Sequence, residues 1–142
     1  MGQVYADAMS DPTVFVVITR YRVEDFEDWL PQARSALAPL VTQEWCLGGD
    51  ICAAVDDAHL AIITTQWPSV GAYRRAMSSF EVKMHTVPLL SMSIDEPTAF
   101  EVIHHNGPDG EREYASARAH DADSVDLGAA AAAEVRGRLS PD

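Results

Sequence analysis

The alternation of apolar and polar positions divides the chain into short periodic stretches separated by turn residues. Thr13 to Val23, TVFVVITRYRV, is rich in β-branched and aromatic side chains and apolar at both parities as far as Thr19. That pattern predicts a strand covered on both faces. The next stretch, EDFEDWLPQARSALAPL, opens with acidic residues suited to a helix N-terminus and sets Phe26, Trp29, Leu30, Ala33 and Leu37 at helical spacing. Pro31 fits this helix only in its first turn or two, or as a kink. Gln43 to Val55 predicts a second strand in which Gly48-Gly49 marks a bulge or a break, and Asp56-Asp57 supplies a turn. His59 to Trp67, HLAIITTQW, predicts a third strand that pairs with the second as a hairpin.

Ser69 is placed to cap the helix that follows, whose apolar stripe is Val70, Tyr73, Met77 and Phe80. A break is expected near Ser78-Ser79, with the helix resuming to Leu90. Thr98 to His104, TAFEVIH, predicts a final short strand. The order strand, helix, strand, strand, helix, strand is the split β-α-β, ferredoxin-like α+β arrangement with an antiparallel four-stranded sheet. Its helices cover one sheet face only, whereas the first strand is apolar on both. A second copy packing sheet against sheet supplies the missing cover.

Length and composition then bound the organisation. At 142 residues the chain has the size of a single domain able to bury a core without staples. Its last stretch, Asn106 to Asp142, departs from the rest, with eight acids against four arginines and an alanine run from Ala129 to Ala133. The expected organisation is a flexible segment over 1–12, a folded domain over 13–105 and an acidic, Ala-rich tail over 106–142. The tail's one helical stretch, around Ala129 to Leu139, has too few large apolar residues to bury much, and it either stays disordered or lies across a partner subunit.

The formal charge of -12 sets the chain against nucleic acid, where binding depends on lysine and arginine displacing counterions. No apolar run approaches the roughly 20 residues that a membrane span needs. MGQVYADAMSDP has neither the basic start nor the apolar stretch of a secretory signal, and the expected compartment is the cytoplasm. Cys46 and Cys52, read on one strand, would stand roughly 20 Å apart, too far for a disulfide. They lack the spacing of a metal site, and His104-His105 has no third ligand in sequence.

The strand ending ITRYRV, the tryptophan-bearing helix and the strand end QW followed by PSVGAYRRAMSSFEVKMHTVP together resemble the antibiotic biosynthesis monooxygenase family. The resemblance covers about Thr13 to His104. It implies a ferredoxin-like domain that pairs as a dimeric α/β barrel, which accounts for the second apolar sheet face. The family includes cofactor-free oxygenases of polyketide phenols, heme-degrading enzymes, small quinol oxidases and members without known activity, so it specifies fold better than reaction. The heme-degrading members resemble one another in an asparagine, a tryptophan and an axial histidine. In this chain those positions fall on Thr19, on Ala76 and on or beside His85, so only His85 fits.

Oxygenation without a cofactor or metal needs a substrate that itself reduces dioxygen, such as an electron-rich phenol, an aromatic polyketide or a quinol. The protein removes a proton, holds the anion beside dioxygen and excludes water. An apolar, aromatic-walled pocket suits that work. Trp29, Trp67, Tyr73, Met77, Met84 and Phe100 are candidates for its wall, with Trp67 favoured because it ends a strand beside a turn. His85 is the candidate base. Arg74 and Arg75 are neighbours pointing about 100 degrees apart, so one of them at most faces inward to stabilise a phenolate. Arg74 is taken as that one. Arg20, among apolar neighbours on the first strand, is a candidate for the same task or for pairing with a carboxylate. The alternatives are a non-catalytic dimeric module that binds a hydrophobic small molecule, and a heme-binding protein.

Overall fold

The computed structural model describes residues 13–116. Strand β1 (Phe15–Arg22) runs along the middle of a four-stranded antiparallel sheet, paired on one side with β3 (Leu60–Trp67) and on the other with β4 (Ala99–Glu101). Strand β2 (Gly48–Ala53) pairs with the outer side of β3, giving the order β2-β3-β1-β4. Helix α1 (Phe26–Val41) connects β1 to β2. Three short helices, α2 (Val70–Met77), α3 (Phe80–His85) and α4 (Val87–Leu90), lie between β3 and β4. This is the ferredoxin-like arrangement expected from the periodicity.

Local chemistry accounts for the helix ends. The Asp25 carboxylate accepts from the Asp28 amide at 3.1 Å and caps α1, with Glu27 and Asp28 in the first turn where the helix dipole favours acids. Pro31 is accommodated inside α1, as is Pro39 near its end. The Ser69 hydroxyl caps α2 through the Ala72 amide at 3.0 Å, and the Ser79 hydroxyl caps α3 through the Val82 amide at 3.2 Å. The break expected at Ser78-Ser79 is therefore a helix stop followed by a freshly capped helix.

The two sheet faces differ. Phe15, Val17, Thr19 and Tyr21 of β1, and Ala61, Ile63, Thr65 and Trp67 of β3, face the helices and are buried. The opposite parity, including Val16, Ile18, Ile62 and Thr64, is only half-buried, and Phe100 opposite Val16 is 44% exposed. Both faces of β1 carry apolar side chains, as the sequence implied, and the helices cover just one of them.

Three boundaries differ from expectation. β2 starts at Gly48 instead of Gln43, and Cys46 lies in the loop before it. Gly49 marks a close approach instead of a break: a Cβ there would sit 2.9 Å from Leu37 Cδ1 of α1 and 3.1 Å from the Thr64 carbonyl oxygen. β4 ends at Glu101, short of His104. A separate hairpin of β5 (His104–Gly107) and β6 (Gly110–Glu113) then crosses the boundary placed at 105/106. The expected N-terminal segment and the tail helix around Ala129 to Leu139 lie outside the described residues.

Candidate functional site

The side chains singled out from the sequence fall in four places. Trp67, at the end of β3, is directly opposite Phe15 and completely buried. Its indole Nε1–H donates to the Thr65 hydroxyl at 2.8 Å. The Tyr73 ring lies 5.5 Å from Trp67, edge to face, and 5.5 Å from Phe15. Half-buried Met77 packs against this group. Trp67, Tyr73 and Met77 thus come together between sheet and helices, and they do so as closely packed core.

Trp29 belongs to the other end of the same layer. Its ring stands 5.2 Å from Tyr21 and 5.8 Å from Phe26. Tyr21 donates to the Thr19 hydroxyl at 2.9 Å, and burial pushes its phenol up to about 12, the hydrogen bond to Thr19 offsetting part of that rise. Thr19, Thr65, Thr86 and Thr98 are the buried polar residues other than tyrosine and tryptophan among those described. The helix-facing interior of the described chain therefore holds hydroxyl groups and no histidine, carboxylate or cation.

Met84, His85, Arg74 and Arg75 occupy the outer surface of α2 and α3. The Met84 side chain is exposed, both arginines are exposed, and His85 Nε2 lies 3.6 Å from a Glu81 oxygen one helical turn away. Arg74, expected as the inward-facing one of the two adjacent arginines, is exposed like Arg75. Both lie on the solvent side because Tyr73 and Ala76 take the buried stripe of α2.

Arg20 and Phe100 meet on the opposite face of the sheet. They line an open cleft of ≈ 350 Å³ together with Ile18, Glu96 and Pro97. Arg20 Nε is 3.0 Å from Glu96 Oε2. Backbone pairing explains the shape of the cleft. The Ile94 amide donates to the Arg20 carbonyl at 2.7 Å, and the Ile18 amide donates to the Thr98 carbonyl at 2.7 Å. Asp95, Glu96 and Pro97 bow out between these two pins, and Pro97 has no N–H with which to continue a ladder. Glu96 was missed from the sequence. The segment SIDEP reads as a polar loop, and its closeness to β1 exists only once the chain has crossed back to the sheet edge.

A second open cleft of ≈ 330 Å³ is lined by Arg22, Val23, Glu24 and His59. Its polar groups are engaged locally: Arg22 pairs with Asp57 at 2.8 Å, and His59 Nδ1 lies 3.1 Å from the Val23 and Glu24 carbonyl oxygens. No group of three or more metal-ligating side chains occurs among the described residues, and no described helix is long and apolar enough to cross a membrane.

No family model and no curated protein matches the sequence. Solved structures do match the fold. SnoaB, described as a cofactor-independent oxygenase from Streptomyces nogalater, superposes with a TM-score of 0.54 at 16% identity, over 63% of this chain and 93% of its own. A conserved protein from Methanosarcina mazei Go1 gives 0.54 at 16% identity, over 67% of this chain and 98% of its own. A putative antibiotic biosynthesis monooxygenase from Nitrosomonas europaea gives 0.52 at 12% identity, over 67% and 95%. The chain therefore has the fold of antibiotic biosynthesis monooxygenases.

Proposed function

We propose that this protein is a homodimeric oxygenase that oxidises an electron-rich aromatic hydroxyl compound, such as a polyketide phenol or quinol, with dioxygen and no cofactor. The observation that carries the reading is the fold shared with the Streptomyces nogalater oxygenase over nearly all of that chain. The half-buried apolar sheet face supports the dimer, because a second copy of the same face is the cover it lacks.

The chemistry asked of the protein is modest. Loss of a proton from the substrate gives an anion, one electron passes from it to dioxygen, and the two radicals combine in a new C–O bond. The resulting peroxide anion takes up a proton, and the hydroperoxide so formed loses water, leaving a carbonyl. One oxygen atom enters the product, the other leaves as water, and the substrate supplies all the reducing electrons. The protein's share is to bind the ring, stabilise the anion and exclude water.

Oxygen uptake by the metal-free protein with anthrone and naphthol substrates tests this. Uptake in proportion to enzyme, with equimolar product carbonyl, is the expected result. No turnover across such a panel overturns the oxygenase reading. One observation favours a second reading, a dimeric module that binds an aromatic molecule without turning it over: the buried polar residues between sheet and helices are hydroxyl-bearing and include no base. Saturable binding without oxygen uptake would establish that alternative.

A further inference from the structure

We propose that the outer side of α2 and α3, where Phe80 and Met84 stand exposed among Arg74, Arg75 and Lys83, is a docking surface for an acidic amphipathic helix of another protein. The surface lies on the far side of the helix layer from the sheet, so it stays free when two copies pair through their open sheet faces. The inference goes beyond the oxygenase reading and does not depend on it.

Helix periodicity builds this surface. Val82 is the buried position of α3, and Phe80 and Met84, one turn apart, take the opposite side, where they are 70% and 53% exposed. Lone exposed apolar side chains are common, but these two are neighbours on one face and stand among charges of one sign. Ala72, Tyr73 and Ala76 take the buried stripe of α2 and leave Arg74 and Arg75 outside. Lys83 is exposed between Phe80 and Met84 in sequence. Arg20 and Arg22 each pair with a carboxylate, whereas Arg74, Arg75 and Lys83 pair with none among the described residues. Glu81, the single acid from Val70 to His85, has an oxygen 3.6 Å from His85 Nε2. A chain of formal charge -12 therefore gathers positive charge around an exposed apolar pair.

An acidic amphipathic helix matches both features. Its apolar stripe covers Phe80 and Met84, and carboxylates on its flanks meet the three cations. An anionic membrane fits less well. It is a plane that brings the rest of an acidic chain against like charge, while one helix addresses only the charges within a Debye length of roughly 10 Å. With two large apolar side chains at its centre, the surface suits a weak, transient partner.

The test is fluorescence titration of the full chain against a labelled helical peptide of about five turns, with leucines on one face and glutamates on both flanks. A second peptide carries lysine in place of every glutamate. Wild type should bind the first and not the second, and more weakly as salt is added. The double variant Arg74→Glu, Lys83→Glu should weaken binding at least about tenfold, because two attractive contacts become repulsive. Phe80→Ser should weaken it about threefold or more through lost apolar contact. Arg112→Glu, a charge reversal on the exposed β5–β6 hairpin, should change it by less than about twofold. Circular dichroism should match for all four proteins, since every substituted side chain is exposed. The inference is overturned if the two peptides bind alike or not at all, if Phe80→Ser leaves affinity unchanged, or if Arg112→Glu acts as strongly as the double variant. Binding to phosphatidylglycerol vesicles without binding to the acidic peptide would overturn it in favour of a membrane face. A lower mass for Phe80→Ser by light scattering would make the surface a contact between copies instead.

Discussion

The Thr86 hydroxyl donates a hydrogen bond of 2.6 Å to the carbonyl of Ala36, fully buried and 50 residues apart in sequence. Thr86 stands at the joint between α3 and α4, and Ala36 lies in α1. The bond ties the broken second helical layer to the first at the one point where α3 stops. Thr86→Val keeps the shape and leaves the Ala36 carbonyl without this donor, so it should lower unfolding stability by about 1–2 kcal/mol. Thr86→Ser should lose less, because it keeps the hydroxyl. Urea unfolding of the three proteins checks the order, and equal midpoints for Val and wild type would contradict it.

The joint also shows what a sequence can and cannot reveal. Ser79 announces itself because serine before an apolar helical stripe is a cap signal, and the break at Ser78-Ser79 could be read in advance. The apolar character of both faces of β1 was equally legible, since Val14, Val16 and Ile18 alternate with Phe15 and Val17. The hairpin His104–Gly107 with Gly110–Glu113 was not, because HHNGPDGERE carries no apolar alternation. The glycines flanking Pro108-Asp109 are its only cue, and they lie in the stretch whose composition reads as a tail. The site fared worse than the fold for a related reason. Helical spacing identifies Tyr73 and Met77 as inward-facing, yet cannot distinguish a pocket wall from close-packed core. The pairing of Arg20 with Glu96 depends on a chain crossover that no local pattern records.

Tyr21 makes stability depend on alkaline pH. Its phenol has a pKa of about 12 in the fold against 10.0 unperturbed, because burial disfavours the phenolate. Between those values the folded state holds more protons than the unfolded one, so stability falls as pH rises. The contribution is intact below pH 10 and lost toward pH 12, amounting to about 3 kcal/mol across the window. Stability measured by denaturant at pH 9, 10 and 11 should decline more steeply for wild type than for Tyr21→Phe. Parallel declines would show that another group is responsible.

The last prediction concerns the open sheet face. Ile62 lies at its middle, opposite Arg20 on β1 and Cys52 on β2, and is half-buried although no helix covers it. It shares that face with Val16, Ile18 and the exposed Phe100, interspersed with Arg20, Thr64 and Gln66, and an uncovered face carrying several large apolar side chains favours a partner. Two copies related by a two-fold axis would bury that face symmetrically, since every contact would be made twice. Ile62→Glu places a charge at the centre of the pairing, close to its own symmetry mate, and desolvation together with like-charge repulsion opposes association. Full-length protein at micromolar concentration should therefore scatter light as a dimer, and Ile62→Glu as a single chain of 15.5 kDa. Circular dichroism should show that the variant remains folded, because the substituted side chain faces away from the helix-side core. A wild-type mass of one chain at that concentration would remove the dimer and leave the face to be covered by something other than a second copy.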